Sequence, residues 1–128
     1  MSNHTITVYG IPNCSTVKKA RVWLDEHGLA YQFHDFKKAG VPASQVPLWI
    51  AQASWEKLVN RQGTTWRKLD SAVQQAVVDA ASATELMLSN PSVIKRPVVE
   101  WRQGQRTSIT VGFDAAQWQE QQAALPDE

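Results

Sequence analysis

Cysteine and arginine are the side chains of this sequence best placed to do chemistry, and there is a single cysteine, Cys14. It lies in the stretch Tyr9-Gly-Ile-Pro-Asn-Cys-Ser-Thr-Val-Lys-Lys-Ala20. The apolar alternation of Ile6 and Val8 ends at Gly10, and a short loop with Pro12 follows. Val17, Ala20, Trp23, Leu24 and His27 then recur at helical spacing, with Gly28 as a stop. The thiol therefore falls at the start of a helix. Unpaired N–H groups and about half a positive charge gather there, so a thiolate is favoured and the thiol pKa falls below its usual value of about 8.5. Ser15 and Thr16 can add hydroxyl donors. Lys18, Lys19 and Arg21 come early in the helix, ahead of the first acids, Asp25 and Glu26. Cations at the positive end of a helix are unfavourable, and an anion there, thiolate or substrate, would offset them. The competing reading is a buried, inert cysteine beside solvated surface lysines.

The elements that must position this thiol can be read in order. Residues 5–9 form a first strand, 15–27 a first helix and 29–35 a second strand, one βαβ unit with a parallel pair. Residues 37–42 read as a loop. The middle of the chain reads as helical, with segments at 43–53, 54–59, 70–80 and from Ser82 or Ala83 to Leu88, and a loop at 60–65. Strands at 98–101 and 107–111 pair as a hairpin, and Asp114 caps a last helix running to Leu125. The order β-α-β, helical insert, β-β-α predicts an α/β protein of thioredoxin-like fold. The expectation is one domain over residues 1–128 with the insert at about 43–90. In that arrangement the proline before the third strand, Pro97, packs against the helix start that carries Cys14.

Composition narrows the classes. Hydrophobic residues make up 43% and charged residues 20% of 128, as in an ordinary globular domain. A net charge of +1 gives no case for nucleic acid or anionic membrane as the main partner. One cysteine excludes an internal disulfide. The polar start and the lack of a long apolar run predict a cytoplasmic protein that does not enter a membrane. The histidines His4, His27 and His34 have no metal-ligand spacing, so no metal is expected. Trp23, Trp49, Trp55, Trp66, Trp101 and Trp118 read as core or half-buried packing.

Three separated motifs carry a resemblance. The Cys14 stretch, Asn60-Arg-Gln-Gly-Thr-Thr-Trp-Arg-Lys-Leu69 and Ile94-Lys-Arg-Pro97 resemble the arsenate-reductase-related family, and within it the branch of YffB-like proteins, relatives of the Spx regulators. The similarity runs to about Trp118. It implies the same fold, a cis peptide before Pro97 and a redox-active Cys14. Arsenate reductases surround the cysteine with three arginines. Arg96 matches one, and Arg61 or Arg67 supplies a second. The third has no match in Thr110-Val-Gly-Phe-Asp114, which leaves an arsenate site incomplete. Spx proteins that sense oxidation carry Cys-x-x-Cys, whereas Val17 stands at the second position here.

The reading that results is a thiol-dependent oxidoreductase. Cys14 is the nucleophile. Arg96, Pro97, Lys18, Arg61, Arg67, Asn13 and Ser15 line the anion or substrate site. With no second cysteine, an external thiol must resolve the intermediate. Glutathione is the expected co-substrate and glutaredoxin a further partner; no tightly bound cofactor is expected, and the protein is expected to be a monomer. Two rival functions are a non-enzymatic, Spx-like regulator that binds RNA polymerase and a glutathione- and glutaredoxin-dependent arsenate reductase.

Overall fold

A computed structural model describes residues 4–125. They form two compact units. The first comprises the chain up to Asp35 together with the chain from Arg96 onward, and the second is Phe36–Lys95.

The first unit is a four-stranded sheet with two helices. Strand β1 (His4–Gly10) leads into helix α1 (Ser15–Glu26), which returns to strand β2 (Gln32–Asp35). Strands β3 (Val98–Gln103) and β4 (Arg106–Val111) form a hairpin, and helix α8 (Ala115–Ala124) closes the unit. The strand order is β2-β1-β3-β4, with β1 parallel to β2 and antiparallel to β3. Gly104, at φ +60°, supplies the left-handed residue of the hairpin turn. The end of α1 is set by Gly28 at φ +66°, and the N–H of Leu29 donates to the Leu24 carbonyl.

Alternation along the strands decides which residues meet. Val8 lies opposite Phe33 and Val99, and Ile6 opposite Trp101. These pack with Ala20, Trp23 and Leu24 of α1 and Trp118 of α8 as one apolar cluster. Trp118 meets Trp23, Trp101 and Phe113 edge to face, at centroid distances of 5.6, 5.2 and 4.8 Å. The buried Trp101 indole donates to Thr110 Oγ1 at 2.9 Å, so its polar atom is satisfied. The opposite face of the sheet carries Thr7, Tyr9, His34 and Glu100. Tyr9 and Glu100 are both buried.

The second unit is helical: α2 (Phe36–Ala39), α3 (Val46–Ala53), α4 (Trp55–Leu58), α5 (Thr64–Arg67), α6 (Ser71–Ala76), α7 (Ala80–Ser89) and a 3-10 turn at Pro91–Val93. Several bounds differ from those the sequence predicts. A turn of helix, α2, occupies residues read as a loop, and α5 begins inside another. Segment 70–80 is broken at Val77, whose backbone is extended at ψ 93°. The next helix starts earlier than predicted because Asp79 caps it: its carboxylate accepts from the Ser82 N–H at 2.9 Å, and the Ser82 hydroxyl accepts from the Asp79 N–H at 3.1 Å. Asp70, the N-cap of α6 and a residue type that suits helix capping, makes no capping hydrogen bond through its side chain. An antiparallel bridge between Val59 and Ile94 ties the segment after α4 to the C-terminal end of the unit, reinforced by the Lys95 N–H, which donates to the Leu58 carbonyl at 2.8 Å. None of the helices among the described residues is long and apolar enough to cross a membrane.

Candidate functional site

A turn places the thiol. After β1 the Cys14 N–H donates to the Ile11 carbonyl at 3.2 Å, folding Ile11–Cys14 back on itself. Cys14 then takes the N-cap position of α1 with extended backbone (φ −88°, ψ 128°), and its carbonyl accepts the first helical hydrogen bond, from the Lys18 N–H at 3.0 Å. No acid stands in the first turn. Gly10 is required by close approach: a Cβ there would lie 2.9 Å from Cγ2 of Val17, a buried residue of α1.

The second half of the site arrives from the far end of the chain. Tyr9 lies opposite Val98 in the antiparallel register, so the residues just before β3 run beside the loop just after β1. The Arg96–Pro97 peptide is cis, and the buried Pro97 is anchored by the Gly112 N–H, which donates to its carbonyl at 2.9 Å. Arg96, partly buried, has its guanidinium within hydrogen-bonding reach of the Cys14 sulfur.

Opposed effects set the thiol's acidity. Burial pushes it up, but the Val17 N–H, the Arg96 guanidinium and the Thr16 N–H together pull it below the ordinary thiol value. Cys14 is partly exposed and unpaired, so the sulfur can be reached. A thiolate-favouring nucleophile beside a fixed cation can attack an electrophilic sulfur and can hold an oxyanion or carboxylate next to it.

The structure brings Cys14, Arg96 and Pro97 together in one unit. Asn13, Ser15 and Lys18 flank the cysteine with exposed side chains. Arg61 and Arg67 belong to the second unit. Arg61 is exposed and packs on two rings, 5.1 Å from Trp55 and 5.9 Å from Trp66, while Arg67 is exposed in the last turn of α5. No group of three or more metal-binding side chains occurs among the described residues. The Thr16 and Val17 N–H groups act as the sequence reading expects of a helix start. One feature of the first unit escaped that reading, the buried Tyr9–Glu100 pair, whose signal was an acid inside the run Val98-Val-Glu-Trp101.

A family model covers this architecture: ArsC family, matched over residues 9–121. The chain belongs to the ArsC family. A solved structure of the YFFB protein is 49% identical with a TM-score of 0.81, covering 95% of this chain and 100% of that one. An arsenate reductase (ArsC) related protein from Brucella melitensis is 51% identical with a TM-score of 0.68, covering 91% and 92%. The global transcriptional regulator Spx of Streptococcus agalactiae is 26% identical over 73% of this chain and 69% of its own length. The ArsC-family fold thus agrees with the thioredoxin-like α/β architecture expected from the sequence, down to the four-stranded sheet.

Proposed function

We propose that this ArsC-family protein is a single-cysteine thiol reductase that uses glutathione as its external thiol. The observation that carries the reading is the convergence of the Arg96 guanidinium and the first-turn N–H groups of α1 on the Cys14 sulfur, which outweighs burial and favours thiolate. That arrangement suits an enzyme nucleophile better than a docking surface, and on this ground the reductase reading is preferred to the regulator function named for the Spx relative. The arsenate reductase reading needs oxyanion ligands beyond Arg96, and no arginine stands in Thr110–Asp114 to provide one.

The chemistry is a pair of exchanges. The Cys14 thiolate attacks the glutathione sulfur of a mixed disulfide. A new S–S bond forms, the old one breaks, and the substrate leaves as thiolate and takes a proton from water. A second glutathione thiolate then attacks the sulfur of the bound glutathione. Oxidised glutathione departs and the Cys14 thiolate is restored. The net change is reduction of one mixed disulfide by one glutathione thiol, giving the free substrate thiol and oxidised glutathione. Arg96 holds a glutathione carboxylate and the thiolate by turns.

The test is incubation with oxidised glutathione followed by mass spectrometry, then addition of reduced glutathione. One glutathionyl adduct at Cys14, reversed by the thiol, is expected, with turnover of a glutathionylated peptide. No adduct, or an adduct that glutathione does not remove, would refute the proposal.

A further inference from the structure

The six tryptophans fall into two groups. Trp23, Trp49, Trp101 and Trp118 are buried, whereas Trp55 and Trp66 are only half-buried and both lie in the second unit. Arg61, exposed, lies near both rings, with its guanidinium carbon 5.1 Å from the Trp55 ring centre and 5.9 Å from that of Trp66. Both distances lie within cation–π range. Among the described residues its guanidinium has ring contacts and no carboxylate partner.

We propose that Trp55, Arg61 and Trp66 form a docking surface for an acidic peptide segment of a partner protein. Three observations favour that occupant. The first is composition: arginine and tryptophan are the residues that dominate the energy of protein interfaces, and here they meet at the surface. The second is charge. Lys57, Arg67 and Lys68 are exposed near Arg61 in sequence. The unit as a whole holds seven Lys and Arg against four Asp and Glu. A carboxylate meets a guanidinium fork bidentately, and Arg61 is exposed to receive one.

The third is rigidity. The loop that presents Arg61 is held by its own backbone. The Asn60 N–H donates to the Val93 carbonyl at 2.8 Å, and the Gln62 N–H donates to Asn60 Oδ1 at 3.3 Å. Gly63 packs closely on Asn60: a Cβ there would stand 2.9 Å from Asn60 Nδ2. Gln74 donates to the Trp66 carbonyl at 2.7 Å, bringing α6 and the exposed Val73 to the same neighbourhood. A preorganised surface loses little entropy on binding.

Nucleic acid fits less well. The sequence isoelectric point is about 7.9, well short of a basic nucleic-acid-binding domain.

Fluorescence anisotropy on the full chain tests the proposal. The probes are a labelled peptide alternating glutamate with leucine, the same peptide with glutamine for glutamate, and a labelled thymidine oligonucleotide. The glutamate peptide is expected to bind saturably and the glutamine peptide at least about tenfold more weakly. Arg61→Ala is expected to weaken binding of the glutamate peptide about thirtyfold. Arg61→Lys, which keeps the charge but loses the fork, is expected to weaken it as well. Trp66→Phe keeps a ring for folding and is expected to weaken binding less. Far-UV circular dichroism identifies any variant that has lost its fold. Absent saturable peptide binding, equal binding of the glutamine peptide, tighter binding of the oligonucleotide, or unchanged affinity in folded Arg61→Ala and Arg61→Lys would each overturn the proposal.

Discussion

Cys14 and Tyr9 stand five positions apart, and their ionisation pulls stability in opposite directions. The Cys14 thiol is pushed up by burial but pulled lower overall by the Val17 N–H, Arg96 and the Thr16 N–H. A group whose folded pKa is depressed adds stability that is fully present above its unfolded value, about 8.5 for a thiol, and that disappears as pH falls through the folded value. The stability of the wild type relative to Cys14→Ser should therefore rise with pH through the window below about 8.5. Urea midpoints measured across that range check this, and a flat difference would contradict it. Tyr9 behaves in the opposite sense. Burial raises its phenol well above the usual value, and the Glu100 carboxylate, which accepts its hydrogen bond, raises it further. Its contribution is complete below about pH 10, the unfolded value, and is lost as pH climbs beyond it. Tyr9→Phe should flatten the loss of stability in alkaline solution, read from the same urea titrations above pH 10.

At the scale of elements, the β1–loop–α1 junction is the part that most directly sets the thiol's position. Gly10 sits against Val17, so Gly10→Ala forces the first turn of α1 to move or Val17 to leave its preferred rotamer. The expected cost is about 1–3 kcal/mol, with slower alkylation of Cys14. Adding Val17→Ala should recover part of the stability lost to Gly10→Ala, a coupling visible in a double-mutant cycle. Strict additivity would place the strain elsewhere. This junction was legible in the sequence because each signal in it is local: alternation up to Val8, Gly10 and Pro12 in the loop, and a 3.6-residue period from Val17. The middle of the chain was less legible for a physical reason. Helices α5 and α6 bury no residue, so no apolar stripe marks their length. Helix α6 ends instead at the extended backbone of Val77, and α7 opens on the Asp79–Ser82 capping box. Phe36, which follows the second strand, begins a one-turn helix.

Over the whole molecule, the sheet and its two helices depend on the aromatic cluster around Trp118, where Trp23, Trp101 and Phe113 converge. The sequence marked the three tryptophans as packing, but not which of them meet. That pairing depends on strand register and on contacts between residues more than ninety positions apart. Trp118→Ala should cost about 3–5 kcal/mol, a large share of the roughly 5–15 kcal/mol that keeps a domain folded. Chemical denaturation measures it, and a loss under about 1 kcal/mol would mean that the cluster repacks around the gap. The same long range brings Arg96 to Cys14. No local pattern could place that arginine; the element order and the resemblance through Ile94-Lys-Arg-Pro97 did so.

The central claim is that Cys14 is held toward thiolate by Arg96 and the mouth of α1. Its most direct test is the rate of Cys14 alkylation by iodoacetamide as a function of pH, in the wild type and in Arg96→Ala. The expected result is a wild-type midpoint below the roughly 8.5 of an ordinary thiol, moving upward when the arginine is removed. A wild-type midpoint at or above that value, or one that does not move in Arg96→Ala, would contradict it.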